Sequence, residues 1–339
     1  MAGWYIETVD SAGSVGWDSS LVLDTNGYPH ISYYAAIIQT LKYAYQDVTG
    51  WHIETVDNGG GSYTSLALDG DGYPHISYEA DLCLKYAYQD ISGWHIEIVD
   101  GPTGWEDIGE WSSLALDASG YPHISYNDYG VALKYVYQDI SGWHIEVVDT
   151  EGGEETTSLA LDGSDYPHVS YFHYIAVDEG TLKYAYKDGS GWHIETVDSG
   201  GRIGEYSSLA LDGDGYPHIS YHDDSNYSLK YAYQDISGWH IETVSDCTGE
   251  ATSLVLDEDG YPHISFCYVD YPVYALGYAY KDGSGWHVEA VDGGTDERTY
   301  TSLALDVNGH AHISYLARPE DNLKYAHAAL LACTYFFLA

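Results

Sequence analysis

Polar and apolar residues alternate with a period of two through nearly the whole chain, and they do so in the same four phrases each time. In the stretch from Ser65 to Asp100 these are SLALD, PHISY, LKYAYQD and WHIEIVD, each with aromatic or branched residues on one side and polar residues on the other. That period belongs to half-buried strands, and no stretch carries helical spacing. Short Gly-containing turns separate the phrases, Asp-Gly-Asp-Gly before Tyr73-Pro74 and Ile-Ser-Gly before Trp94, so each unit reads as four antiparallel strands joined by hairpins.

The unit returns around Trp4, Trp51, Trp94, Trp143, Trp192, Trp239 and Trp286, at intervals of 43 to 49 residues. Four antiparallel strands at that period predict a β-propeller blade, and seven units predict seven blades in an all-β protein. The chain opens on GWYIETVD, a fourth strand, and its last unit stops after LKYAH, a third strand. Residues 4 to 10 are therefore expected to close the ring as the outer strand of the last blade, beside Leu323 to His327. Residues 1–327 form one domain on this reading. Residues 328–339, AALLACTYFFLA, form an apolar tail too short to span a bilayer.

The connections divide into two kinds. From first to second strand there are always four residues and from third to fourth three, whereas the fourth-to-first and second-to-third connections vary from seven to twelve and from five to ten. Alternate connections of an antiparallel blade fall on opposite faces, so the variable loops share one face, and variable loops on a rigid scaffold are where binding residues usually lie. Just before the first strands come Trp17, Tyr63, Trp111, Tyr206 and Tyr300, with Thr156 and Ala251 breaking the series; Trp105 lies in the longest loop, and Asp128, His222 and Asp223 stand nearby. Aromatic plates beside acids suit sugar rings, whose apolar faces stack while their hydroxyls need acceptors. These nine residues are the expected ligand-binding set, around the channel mouth, with a glycan or cell-surface glycoconjugate as partner. The plainer alternative is that the aromatics pack between blades.

Composition narrows the partners. Eleven Lys and Arg stand against 53 Asp and Glu, a formal charge of −42, which excludes nucleic acid and anionic membrane because nothing is left to neutralise phosphates. No run of about 20 apolar residues exists, so no membrane span is expected. The four cysteines occupy unrelated positions without CxxC spacing, which excludes a zinc site; Cys247 and Cys267 fall on one face and are placed to pair if the chain is exported. The histidines of PHISY and WHIEI recur once each per unit and read as structural, and the strand-three lysines such as Lys85 are expected opposite strand-four glutamates such as Glu97. The Asp-Gly-Asp-Gly turns hint at calcium, but four residues without a distal Glu make no calcium loop, so neither metal nor cofactor is expected.

SLALDGDGYPHISY and LKYAYQDISGWHIE resemble the repeats of seven-bladed propellers in secreted or surface proteins of bacteria and archaea, loosely grouped with sialidase-like and lectin propellers; the resemblance covers residues 3 to about 327. The sialidase Asp-box SxDxGxTW is only echoed, at Asp188 to Trp192, and the WD40 pair is absent. The resemblance implies an extracellular or cell-surface protein. The function expected is a non-catalytic, lectin-like module holding a glycan on the variable-loop face. Two alternatives stand beside it: a self-assembling surface or filament subunit, and a sialidase-like glycoside hydrolase using Arg202, Arg298 or Arg318. No acid and nucleophile pair shows in the spacing of the carboxylates, so no enzyme is expected.

Overall fold

The computed structural model describes residues 3–101, 107–128, 132–150, 156–246, 248–270, 273–293 and 300–328. Among them there is no helix, and 28 strands form seven four-stranded antiparallel sheets arranged as the blades of a propeller. Blade one runs Val15–Leu23, Pro29–Ala35, Thr40–Asp47 and Gly50–Asp57, hydrogen-bonded in that order. Its first turn is closed by the amide of Gly27 donating to the carbonyl of Asp24, with Gly27 at φ 82°. Five other blades repeat that glycine, and blade four tolerates Asp165 at φ 63°, as a short Asx side chain can. In the turn of blade two, Asp69 Oδ1 accepts the amides of Asp71 and Tyr73, so the acid is spent on its own turn.

The core lies between blades. Leu41 and Tyr43 of blade one pack with Leu66, Ile76 and Tyr78 of blade two, and the equivalent clusters follow around the ring. Ile31, Ile76, Ile124, Val169, Ile219, Ile264 and Ile313, one per PHISY-type strand, are wholly buried. Three sets of hydrogen bonds staple each seam. The leucine amide of each first strand donates to the serine of the preceding first strand, seven times at 3.0 Å. The PHISY serine meets a Ser or Thr hydroxyl of the next blade, as in Ser77 with Ser112 at 2.8 Å. Each repeat tryptophan donates its indole N–H to the glutamate one blade back, from Trp4 to Glu289 through Trp286 to Glu242, at 2.8 or 2.9 Å.

The ring closes as expected. Trp4–Asp10 pairs antiparallel with Asn322–Ala328, Trp4 opposite Ala328 and Glu7 opposite Tyr325, as the outer strand of a sheet whose innermost strand is Thr301–Leu305. The remainder of the apolar tail, 329–339, and Cys247 lie outside the described residues.

The lysines do not pair as expected. Each lysine of the LKYAY-type phrases reaches instead the aspartate that ends the preceding blade's last strand, as in Lys42 to Asp10 at 2.8 Å, Lys85 to Asp57 at 3.2 Å and Lys324 to Asp292 at 3.1 Å, whereas Lys187 and Lys281, further along two third strands, meet Glu146 and Glu242 of the preceding blade. The same aspartate accepts the strand-two tyrosine hydroxyl, as from Tyr33 to Asp10 at 2.7 Å. Six seams carry this Asp–Tyr–Lys group. The seam between blades five and six has Ser245, Phe266 and Gly277 in its place, and the Phe266 ring lies where a Gly277 Cβ would be, at 2.6 Å.

Candidate functional site at the channel mouth

One backbone irregularity builds the site. In blade one Trp17 pairs with Tyr34 and Ser20 with Ser32, three steps on the first strand against two on the second. The same bulge recurs before Ser65, Ser113, Ser208 and Ser253. Within each sits one non-glycine residue at positive φ, between 50° and 54°: Asp18, Tyr63, Trp111, Tyr206 and Ala251. A bulge re-aims its side chain out of the strand's alternation, here toward the channel. With Thr156 and Tyr300 of blades four and seven, these residues line a cavity of about 150 Å³, and the next residue of each blade, from Ser19 to Thr301, adds a hydroxyl. That volume is close to the ~150 Å³ at which an engineered cavity admits one benzene, so the mouth is sized for a single six-membered ring.

The rings form a connected wall. Tyr63 lies 4.7 Å from Trp111, and Trp111 reaches past the small Thr156 to meet Tyr206 edge-on at 6.2 Å. On the other side stands Tyr300. Between Tyr300 and Tyr63 the series has a carboxyl. Asp18 Oδ2 accepts the Tyr63 amide at 2.9 Å. Protein surrounds Asp18 except where it faces the cavity, and this burial pushes its carboxyl up to about 6 against the opposing pull of that single N–H. Glu110, beside Trp111 in the chain, is pushed up to about 7 by burial and by the like charges of Asp107 and Glu79.

The structure thus brings together Tyr63, Trp111, Tyr206 and Tyr300, and sets Trp17, Asp128, His222 and Asp223 apart from the cavity wall. Trp17 is one residue out of register: the mouth position is that of Asp18, while Trp17 stands behind Tyr300 at 5.9 Å, its indole bonded to Ser14 and its ring covered by the Arg318 guanidinium at 4.7 Å. Asp128 and Asp223 end second strands and are buried against Lys134 at 2.6 Å and Lys230 at 3.1 Å, so they belong to the seams. His222 is 1% exposed, behind Tyr206, with its Nδ1 3.7 Å from a Glu205 oxygen and neither nitrogen hydrogen-bonded. Trp105 lies outside the described residues. Asp18 was missed, although counting back two residues from each SLALD-type serine lines it up with Tyr63 and Trp111.

No family model and no curated protein matches the sequence. Solved structures do share the fold. An ulvan lyase of polysaccharide lyase family PL25, bound to -[GlcA(1-4)Rha3S]-, superposes with a TM-score of 0.62 at 12% identity over 96% of this chain and 94% of the other. AofleA from Arthrobotrys oligospora gives 0.56 at 12% identity, over 86% and 90%. The Hadza microbial sialidase Hz136 gives 0.53 at 12% identity, over 94% of this chain and 66% of that one. At such identity the likeness establishes the propeller fold. The expectation of a protein without enzymatic activity is corrected by it: propellers of this architecture include a polysaccharide lyase and a sialidase.

Proposed function

We propose that the protein is a glycan-cleaving enzyme that works at the channel mouth, with Asp18 as the acid. One observation carries the reading: the single carboxyl of the seven mouth positions sits within a wall of tyrosine and tryptophan rings, in a cavity of one-ring size. Rings stack on the apolar face of a sugar and fix its orientation, while surrounding hydroxyls serve its polar edge. A carboxyl held partly protonated near neutral pH is suited to give its proton to the departing glycosidic oxygen as that bond breaks. Water then adds to the anomeric carbon, and the proton it loses returns to the Asp18 carboxylate and restores the acid. Carbohydrate-active neighbours of the same fold support the reading, and we extend it to an extracellular or cell-surface setting, where a charge of −42 suits a cation-rich medium.

The experiment is a panel of fluorogenic glycosides and reducing-end release from polysaccharides. General acid catalysis contributes on the order of 10²–10⁴-fold, so Asp18→Asn should lose activity on that scale. Trp111→Ala with Tyr206→Ala should weaken binding by about 1 kcal/mol for each ring and leave the fold intact. Full activity in folded Asp18→Asn, or no cleavage of any glycan by the wild type, refutes the proposal.

A further inference from the structure

We infer that the sugar held at the mouth carries neither carboxylate nor sulfate, so that the substrate is a neutral or basic glycan; this rests on the mouth being a glycan site. The inference comes from an inventory of cations. The chain has eight lysines, and every one is tied to a carboxylate in a seam: Lys42, Lys85, Lys134, Lys183, Lys230 and Lys324 to the strand-ending aspartates, Lys187 to Glu146 and Lys281 to Glu242. Of the three arginines Arg298 lies outside the described residues; Arg202 is held by Glu205 and lies over Phe172 at 5.5 Å, and Arg318 lies over Trp17, 3.6 Å from Asp321. Among the described residues, then, no ammonium or guanidinium lines the cavity.

The negative groups are distributed the other way. Asp18 is in the wall, and Glu79, Asp107 and Glu110 act electrostatically on Tyr63 beside it. A carboxylate or sulfate entering here would be desolvated against like charge, with no fork of donors to receive it. Recognition of acidic sugars relies on bidentate arginine, and both described arginines are engaged elsewhere. The net charge of −42 adds a long-range repulsion that acts before contact.

Tryptophan fluorescence titrations with three oligomers of equal length, of N-acetylglucosamine, glucosamine and glucuronic acid, decide the matter when run at low and high salt. The acidic oligomer should bind at least about tenfold more weakly than the neutral one at low salt, and the gap should narrow as salt screens the repulsion. Glu79→Gln, which removes one of the carboxyls acting on Tyr63, should strengthen acidic binding several-fold and leave the neutral oligomer unchanged. Acidic binding equal to neutral binding at low salt, abolished by Trp111→Ala with Tyr206→Ala, overturns the inference and spares the glycan site. Absence of binding by all three, together with no cleavage across the wider panel, removes the site and the inference together.

Discussion

The amide of Leu21 donates to Oγ of Ser302 across 3.0 Å, which joins the first blade to the last with the same bond that links every other neighbouring pair. In this bond the seam that the chain's two ends create matches the six others. It depends on the N-terminal strand, which supplies Glu7 to Trp51 and Asp10 to both Tyr33 and Lys42. Deleting residues 1–10 should bare the edge of Asn322–Ala328, lower the thermal midpoint sharply and cause concentration-dependent aggregation. Calorimetry with light scattering measures both, and an unchanged midpoint would mean the strand does not close the ring.

Asp10 and Lys42 are both buried, 6% and 9% exposed. Asp10→Ala leaves an ammonium without a partner in the seam and should cost about 3–5 kcal/mol in urea unfolding. Copying the blade-six solution into blade one, with Asp10→Ser, Tyr33→Phe and Lys42→Gly together, should cost less than Asp10→Ala alone. Additive losses in the triple variant would show that the three residues do not act as a unit.

If Asp18 is the acid, the active form is the protonated one. Its carboxyl sits at about 6, so kcat/KM should be level below that value and fall about tenfold per pH unit above it. Asp18→Asn should retain a small activity without that limb. A wild-type profile that instead rises through pH 6 would assign Asp18 the role of a base.

Acid should weaken the fold through the PHISY-type histidines. Burial lowers His30, His75, His123, His168, His218, His263 and His312, the last to about 4. His312 faces the Tyr325 hydroxyl, Asp306, His310 and His327, and the aspartate only partly offsets burial. A folded value below the unfolded one means that the unfolded chain binds more protons in between. The stability from keeping His312 neutral is then complete above about pH 6.5 and lost progressively toward pH 4. Asp18 and Glu110, raised by burial, act in the opposite sense over part of that range. The informative measurement is therefore a difference: between pH 7 and 4.5 the midpoint of His312→Gln should fall less than that of the wild type.

Repetition made the fold legible. Seven copies of a period-two pattern, two constant turns and an unpaired strand at each end specify the blades, the ring and its closure, and loop-length variance picks the face that holds Tyr63, Trp111, Tyr206 and Tyr300. The errors share a physical origin in register. Alternation cannot reveal a bulge, so Trp17 was read as the mouth residue when the extra residue before Ser20 hands that place to Asp18. Register likewise parts the lysines from the glutamates: the hairpin pairs Tyr43 with Glu54 and Lys42 with Thr55, so Lys42 and Glu54 stand on opposite faces of the blade. Asp128 and Asp223 looked like loop acids because nothing local shows that Lys134 and Lys230 reach back to bury them.

The bulge has a thermodynamic consequence. Asp18, Tyr63, Trp111, Tyr206 and Ala251 are all L-residues in the left-handed region, a conformation in which Cβ crowds the backbone at about 1 kcal/mol per residue and which glycine adopts freely. Glycine at all five positions would relax the ring at the very strands that carry its seams. The chain holds two tyrosines, a tryptophan, a carboxyl and an alanine there instead, so the face of the channel is maintained against a gradient toward a more stable and featureless one.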